Sequence, residues 1–175
     1  MQIHGFRGLA GTLCVAAIFF SGVVAAKTPG EVEVGASLRE ASMKGLNGPN
    51  RLLSQFRGKP LLINVWASWC GPCKQEMGSL ERLAWQDQGK RFAMIGISTD
   101  DSEPAAKRYL QSANATLNHY IDHALELENM LGAERLPLTL LVDAQGRVLA
   151  RYVGAREWDS AEAAKWIDAA LRNKK

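Results

Sequence analysis

Two cysteines separated by two residues, Cys70 and Cys73, lie in the stretch Trp66-Ala67-Ser68-Trp69-Cys70-Gly71-Pro72-Cys73. Thiols at this spacing can exchange a disulfide with a partner and then close on each other, which is redox chemistry carried by the chain itself. The attacking species is the thiolate, and a cysteine at its ordinary pKa of about 8.5 is mostly protonated at neutral pH. Position can correct this. The apolar run Leu61–Trp66 reads as a buried strand and the residues from Pro72 onward as a helix. Cys70 then stands at a helix start, where unsatisfied N–H groups and the positive end of the macrodipole favour anionic sulfur. Pro72 suits a first turn because it needs no N–H partner there, and Gly71 leaves the sulfur uncrowded. Cys70 is the candidate nucleophile; Cys73, one turn inward, is the candidate resolving thiol.

Two other uses of the pair compete. A structural staple is one, yet a disulfide closing so short a loop removes little chain entropy. A metal site is the other, with His119-x-x-x-His123 completing four zinc ligands. Zinc fingers place far fewer residues between the two halves, and such a site leaves the Trp-Cys-Gly-Pro-Cys context unexplained. His119 and His123 are expected at the surface or partly buried.

The chain has 175 residues, 47% hydrophobic and 22% charged, which suits one globular core. Its net charge of +3 is small and its cations are scattered apart from Lys174-Lys175, so nucleic acid is not an expected partner. Residues 1–26 read as a signal peptide, with His4 and Arg7 before an apolar run and Val24-Ala25-Ala26 offering a cleavage site. The alternative is an uncleaved membrane anchor, because Leu9 to Ala26 carries no charge. Either way the domain faces the outside of the cytoplasmic membrane, in the periplasm or its equivalent. Cys14 lies inside that segment, leaving Cys70 and Cys73 as the cysteines of the mature chain.

The elements that must hold the pair follow from pattern. Residues 27–36 read as a linker, with order starting near Leu38 and a domain over 37–175. Arg39 to Leu53, broken by Asn47-Gly48-Pro49, predicts a hairpin, followed by a helical turn over Leu53–Phe56. Strands are expected at Leu61–Trp66, Phe92–Ile97, Leu117–Ile121, Leu138–Val142 and Arg147–Val153. Helices are expected from Pro72 to Gln88, from Asp101 or Ser102 to about Asn114, over Ala124–Leu131, and from Asp159 with Glu162 as a capping box. Strands joined by helices, then a hairpin and a last helix, predict a mixed sheet with helices on both faces. In such sheets ligands meet the carboxyl ends of strands, where Cys70 falls.

Trp69-Cys70-Gly71-Pro72-Cys73 is the active-site motif of the thioredoxins. The longer run Asn64-Val65-Trp66-Ala67-Ser68-Trp69-Cys70-Gly71-Pro72-Cys73-Lys74-Gln75-Glu76-Met77 resembles the TlpA/ResA group of exported thiol-disulfide oxidoreductases, a likeness reaching from about Gly35 to the last helix. The export segment, the N-terminal hairpin, Glu76 and an extra strand and helix before Pro137 support that group. The resemblance implies an α/β thioredoxin-like fold, a mixed central sheet flanked by helices with an N-terminal β-hairpin and an inserted strand-helix unit. It implies a protein disulfide reductase that needs no cofactor and works as a monomer on protein thiols and disulfides. A membrane-embedded electron donor of the disulfide-reductase type recharges it, and cytochrome c maturation is one compatible setting.

For individual residues, the resemblance implies a redox-active Cys70–Cys73 disulfide and a cis bond at Leu136-Pro137 facing it. The backbone of Leu136 would be offered to an incoming peptide as a short strand pairing, with Trp69, Gly71 and Pro72 as further substrate contacts. Glu76, on the Cys73 face of the helix, exchanges protons with the buried thiol. Thioredoxins carry a buried aspartate on the preceding strand; Asn64 stands there in this chain and cannot ionise. Plainer readings stay open: Pro137 as an ordinary strand-initiating proline, Glu76 as a surface residue at a helix start, and the whole protein as a disulfide-forming oxidase or a metal-delivery module. Trp66 is expected in the core, and Trp158 and Trp166 to be structural.

Overall fold

The computed structural model describes residues 1–2 and 30–172. Apart from Met1 and Gln2, the expected signal peptide or anchor, with Cys14, lies outside the described residues, as does the first part of the linker. Among the described residues no helix is long and apolar enough to cross a membrane. The strands are β1 (Ser42–Gly45), β2 (Arg51–Leu52), β3 (Leu61–Trp66), β4 (Ala93–Ser98), β5 (Asn118–Ile121), β6 (Leu138–Val142) and β7 (Val148–Val153). They form one sheet in the order β2-β1-β5-β4-β3-β6-β7. β3, β4 and β5 run parallel, and β6, β7, β1 and β2 join by antiparallel pairing. The helices are α1 (Gly71–Asp87), α2 (Glu103–Ser112), α3 (Glu126–Leu131) and α4 (Ala161–Arg172), with a 3₁₀ turn at Leu53–Phe56.

β3 is buried along its whole length, as a central strand covered on both faces must be. Its alternation sorts the two layers. Leu61, Ile63 and Val65 face a cluster completed by Leu127, Met130 and Leu131 of α3 and by Leu38 and Leu53. On the other face, Leu62 joins Leu80 and Leu83 of α1 and Ile167 of α4, while Trp66 joins Cys73 and Met77 of α1 and Ala106 and Leu110 of α2. Asn64 shares that second face and is the one polar residue of the strand. A polar group so placed requires a partner, and the partner comes from α1.

Two local expectations are corrected. Order begins before Leu38: Val32 is buried, its N–H donates to Met130 O, and Gly35 N–H donates to Val148 O, so the end of the expected linker packs onto α3 and β7. The last helix is capped by Ser160, whose Oγ accepts from Ala163 N–H at 3.2 Å, in place of the Asp159/Glu162 box. Asp159 is instead drawn to Arg82 Nε at 2.6 Å, a charged partner on α1 that outcompetes a backbone N–H.

Candidate active site

α1 starts where β3 ends, so the cysteine pair stands over the carboxyl edge of the sheet. Cys70 is the N-cap, with extended backbone, and its sulfur accepts from Cys73 N–H at 3.2 Å. No acidic residue occupies the first turn to oppose a thiolate. Cys70 and Cys73 form a disulfide with Cα atoms 5.3 Å apart. The approach to the helix is clamped by Asp100 at the end of β4, which accepts from Ser68 N–H (2.8 Å), Ser68 Oγ (2.6 Å) and Ser98 Oγ (2.7 Å). The chain Ala67–Trp69 is thereby tied to the neighbouring strand, and Cys70 with it.

Cys73 is fully buried while Cys70 opens onto a groove. Trp69, Gly71, Pro72 and Leu136 line that groove with Cys70, alongside Leu125, Asp101 and Glu128. Trp69 is 68% exposed, a flat apolar surface beside the reactive sulfur. The Leu136–Pro137 peptide is cis, whereas Pro137 itself is buried, is not among the groove-lining residues, and presents its carbonyl to Gly154 N–H. Trp69, Gly71, Pro72 and Leu136, named from the sequence, stand on this groove; Asp101 and Glu128 on its rim had no signal, because one follows β4 and the other lies on α3, both remote in the chain.

Glu76 is 1% exposed, so it is not a surface residue at a helix start. Its Oε1 accepts from Asn64 Nδ2 at 2.7 Å, and its Oε2 from Trp158 Nε1 at 2.8 Å and Arg156 N–H at 3.1 Å. Burial pushes its carboxyl up to about 7, against the pull of those three donors. Two of these donors, Arg156 N–H and Trp158 Nε1, arrive on a segment that α1 holds by a polar stripe spaced three residues apart. Ser79 Oγ accepts from Trp158 N–H, and Arg82 pairs with Glu157 and Asp159. Trp158, expected to be merely structural, is therefore also a carboxylate ligand. The spacing Glu76-x-x-Ser79-x-x-Arg82 carried the only sequence signal of this seam. An open cleft lined by Gln75, Glu76, Ala155, Arg156 and Glu157 lies along it and shares no residue with the groove at Cys70.

Strand register explains the rest of the polar layer. Thr139 of β6, Asn64 of β3, Gly96 of β4 and His119 of β5 are successive cross-strand partners and so form one row across the sheet. Asn64 Nδ2 also donates to Thr139 Oγ1 at 3.1 Å. His119, expected at or near the surface, is 1% exposed, and its Nδ1 accepts from Trp66 Nε1 at 3.1 Å. Gly96 makes that possible: a Cβ there would fall 2.0 Å from His119 Nδ1. His123 is exposed. Among the described residues no three His, Cys, Asp or Glu side chains come together as a metal site, so the four-ligand alternative is not assembled.

Comparison with known proteins follows this geometry. The Redoxin family model matches residues 33–167. The thiol:disulfide interchange protein DsbE of Vibrio cholerae is 34% identical over 136 residues, covering 73% of this chain and 70% of that protein. The thiol-disulfide oxidoreductase ResA of Bacillus thuringiensis subsp. konkukian is 26% identical over 132 residues, covering 75% and 76%. Among solved structures, a Chlorobium tepidum chain assigned to the DsbE-type interchange proteins superposes with a TM-score of 0.73 at 26% identity, covering 81% of this chain and 99% of that one. A helix-capping Cys-x-x-Cys disulfide beside a cis-proline, on this sheet and with these relatives, leads to one conclusion: the chain belongs to the Redoxin family and has the thioredoxin-like fold of its thiol-disulfide oxidoreductases.

Proposed function

We propose that this protein works outside the cytoplasmic membrane as a reductase of protein disulfides, with Cys70 as nucleophile, Cys73 as resolving thiol and Glu76 as proton carrier. The observation that supports it most is the division of labour around α1: one sulfur opens on a groove and the other is sealed behind it, next to a buried carboxyl poised near neutrality. In the reduced enzyme the Cys70 thiolate attacks a partner disulfide. The partner's S–S bond breaks, a Cys70–partner disulfide forms, and one partner thiolate leaves. Cys73 then gives its proton to the Glu76 carboxylate and attacks the Cys70 sulfur. That step re-forms the Cys70–Cys73 bond and releases the second partner thiolate, which takes a proton from water. Two electrons pass to the partner, and a membrane-embedded donor returns them.

An extended partner segment fits between Trp69 and Leu136, with its cysteine over Cys70. The cleft beside Glu76 stays open to water when the groove is covered, so the carboxyl can shed its proton with the partner still docked. The Gly71-Pro72 dipeptide, shared with reducing thioredoxins, favours electron donation over disulfide formation. Cytochrome c maturation is the setting that the family likeness nominates.

Cys73→Ala removes the resolving sulfur, so partner proteins are expected to accumulate as mixed disulfides on Cys70. Failure to trap any partner, while the wild type still reduces a model disulfide, overturns the assignment of Cys70. Direction is read from equilibrium with glutathione. A potential near −120 mV, the value of a strong oxidant, would instead make the protein a disulfide-forming oxidase.

A further inference from the structure

Glu76 must be held both charged and neutral while buried if it carries a proton, and a fixed set of donors serves the charged form alone. Both lone pairs of Oε2 are engaged, by Trp158 Nε1 and Arg156 N–H. A proton therefore lands on Oε1, the oxygen that faces Asn64. In the oxidised state the Asn64 amide is lopsided. Nδ2 has two acceptors, Glu76 Oε1 and Thr139 Oγ1, whereas Oδ1 is buried with no partner. An orphaned buried acceptor is costly and calls for an explanation.

We infer that Asn64 and Thr139 are positioning residues that follow the proton: the amide donates through Nδ2 to the Glu76 carboxylate and, turned over, accepts through Oδ1 from the Glu76 acid. The inference rests on the reading of Glu76 as proton carrier. Half a turn about the Cβ–Cγ bond exchanges Oδ1 and Nδ2, placing Oδ1 between Oε1–H and the Thr139 hydroxyl. The hydroxyl accepts in the first arrangement and donates in the second, a reversal that only a hydroxyl allows. The same number of hydrogen bonds is made in each state, with one end of the amide unpartnered either way. Aspartate at position 64 would add a charge beside Glu76, and leucine would serve neither state.

Other charged and titratable groups around Glu76 do not duplicate this role. From α2, Tyr109 feels the Glu76 charge, and burial together with that charge raises its phenol. The Arg156 guanidinium lies over the Tyr152 and Trp158 rings at 4.4 and 5.6 Å, and only its backbone N–H reaches the carboxylate. Glu157 lines the outer cleft and pairs with Arg82, and Cys73 is held in the disulfide. The amide and the hydroxyl are the groups that can reverse their polarity.

Side-chain NMR of the oxidised protein between pH 5 and 9 tests this, following the Glu76 carboxyl carbon and the Asn64 Nδ2 protons together. Contacts from the Asn64 amide protons to the Thr139 methyl are expected at high pH and lost at low pH, with the midpoint of the Glu76 carbon. Glu76→Gln, which cannot titrate, is expected to hold the amide in one orientation throughout. If Glu76 titrates while the Asn64 contacts persist unchanged, the turning amide is overturned and the proton-carrier reading survives. If the Glu76 carbon shows no titration in this range, both fall together.

Discussion

Two glutamates five positions apart on α1, Glu76 and Glu81, are bound by comparable sets of donors yet are driven in opposite directions. Glu76 accepts from Asn64, Trp158 and Arg156 N–H, and burial outweighs them, raising it to about 7. Burial also raises Glu81, but Thr116 N–H (2.9 Å), Thr116 Oγ1 (2.6 Å) and Leu117 N–H (3.2 Å) overcome it. His119 Nε2 is the strongest of the lowering influences, ahead of those three donors, and acts from 3.9 Å, too far for a hydrogen bond. The outcome is about 2. Exposure differs in the same sense: the Glu81 side chain is 15% exposed, whereas Glu76 is 1% exposed behind the Arg156–Trp158 segment. The same polar row of the sheet serves both, Asn64 and Thr139 on one side of Gly96 and His119 on the other. Burial pushes both carboxylates up, and the groups facing each decide whether it is carried back down.

Removing the charge at position 76 is the largest expected break of this contrast. Because the folded protein holds the proton up to about 7, against 4.5 for an ordinary glutamate, it binds more protons than the unfolded chain across that window. Stability therefore falls as pH rises from about 4.5 to 7, by roughly 3 kcal/mol in all. Glu76→Gln is expected to abolish that slope and to raise Tm at pH 8, while slowing the resolving step. A pH-dependence of Tm unchanged from wild type would show that the buried carboxyl costs nothing.

Trp158→Phe keeps an aromatic, though smaller, ring and deletes one donor to Oε2. Loss of a hydrogen bond to a charged group, about 1.5 kcal/mol, should move the Glu76 midpoint upward by about one unit. A midpoint that stays in place under kinetic pH profiling would demote Trp158 to packing alone. The smallest change belongs to Glu81→Gln. Its lowered carboxyl stabilises the fold above the unfolded value near 4.5, and that gain fades as pH falls toward 2. With solvent screening allowed for, a loss of about 1 kcal/mol at neutral pH is expected in urea unfolding. Equal or higher stability in the variant would remove Glu81 from the comparison.

The substrate side was legible from neighbours in the chain. Helix start, thiol order and groove wall follow from Leu61–Cys73, and the Leu136-Pro137 step from its likeness to a family loop. The proton side was half legible. Glu76 was marked by its place one turn beyond Cys73, but its donors stand at positions 64, 156 and 158, and no local pattern ties a tryptophan after β7 to a helix some eighty residues earlier. His119 was misplaced toward the surface for a similar reason. A histidine beginning an apolar triplet carries no sign that a glycine on the neighbouring strand has made room for it.

The amino-acid sequence by itself determined the reaction class, because disulfide exchange needs two thiols at short range and a helix start to ionise one of them. It also determined the mixed sheet, because alternation and turn residues are local properties. Only the tertiary structure decided which residues surround the two sulfurs, which donors meet Glu76, and which of two carboxylates on one helix is pushed up and which down. Those outcomes depend on solvent exclusion and on strand register, and both arise only when segments remote in the chain are packed together.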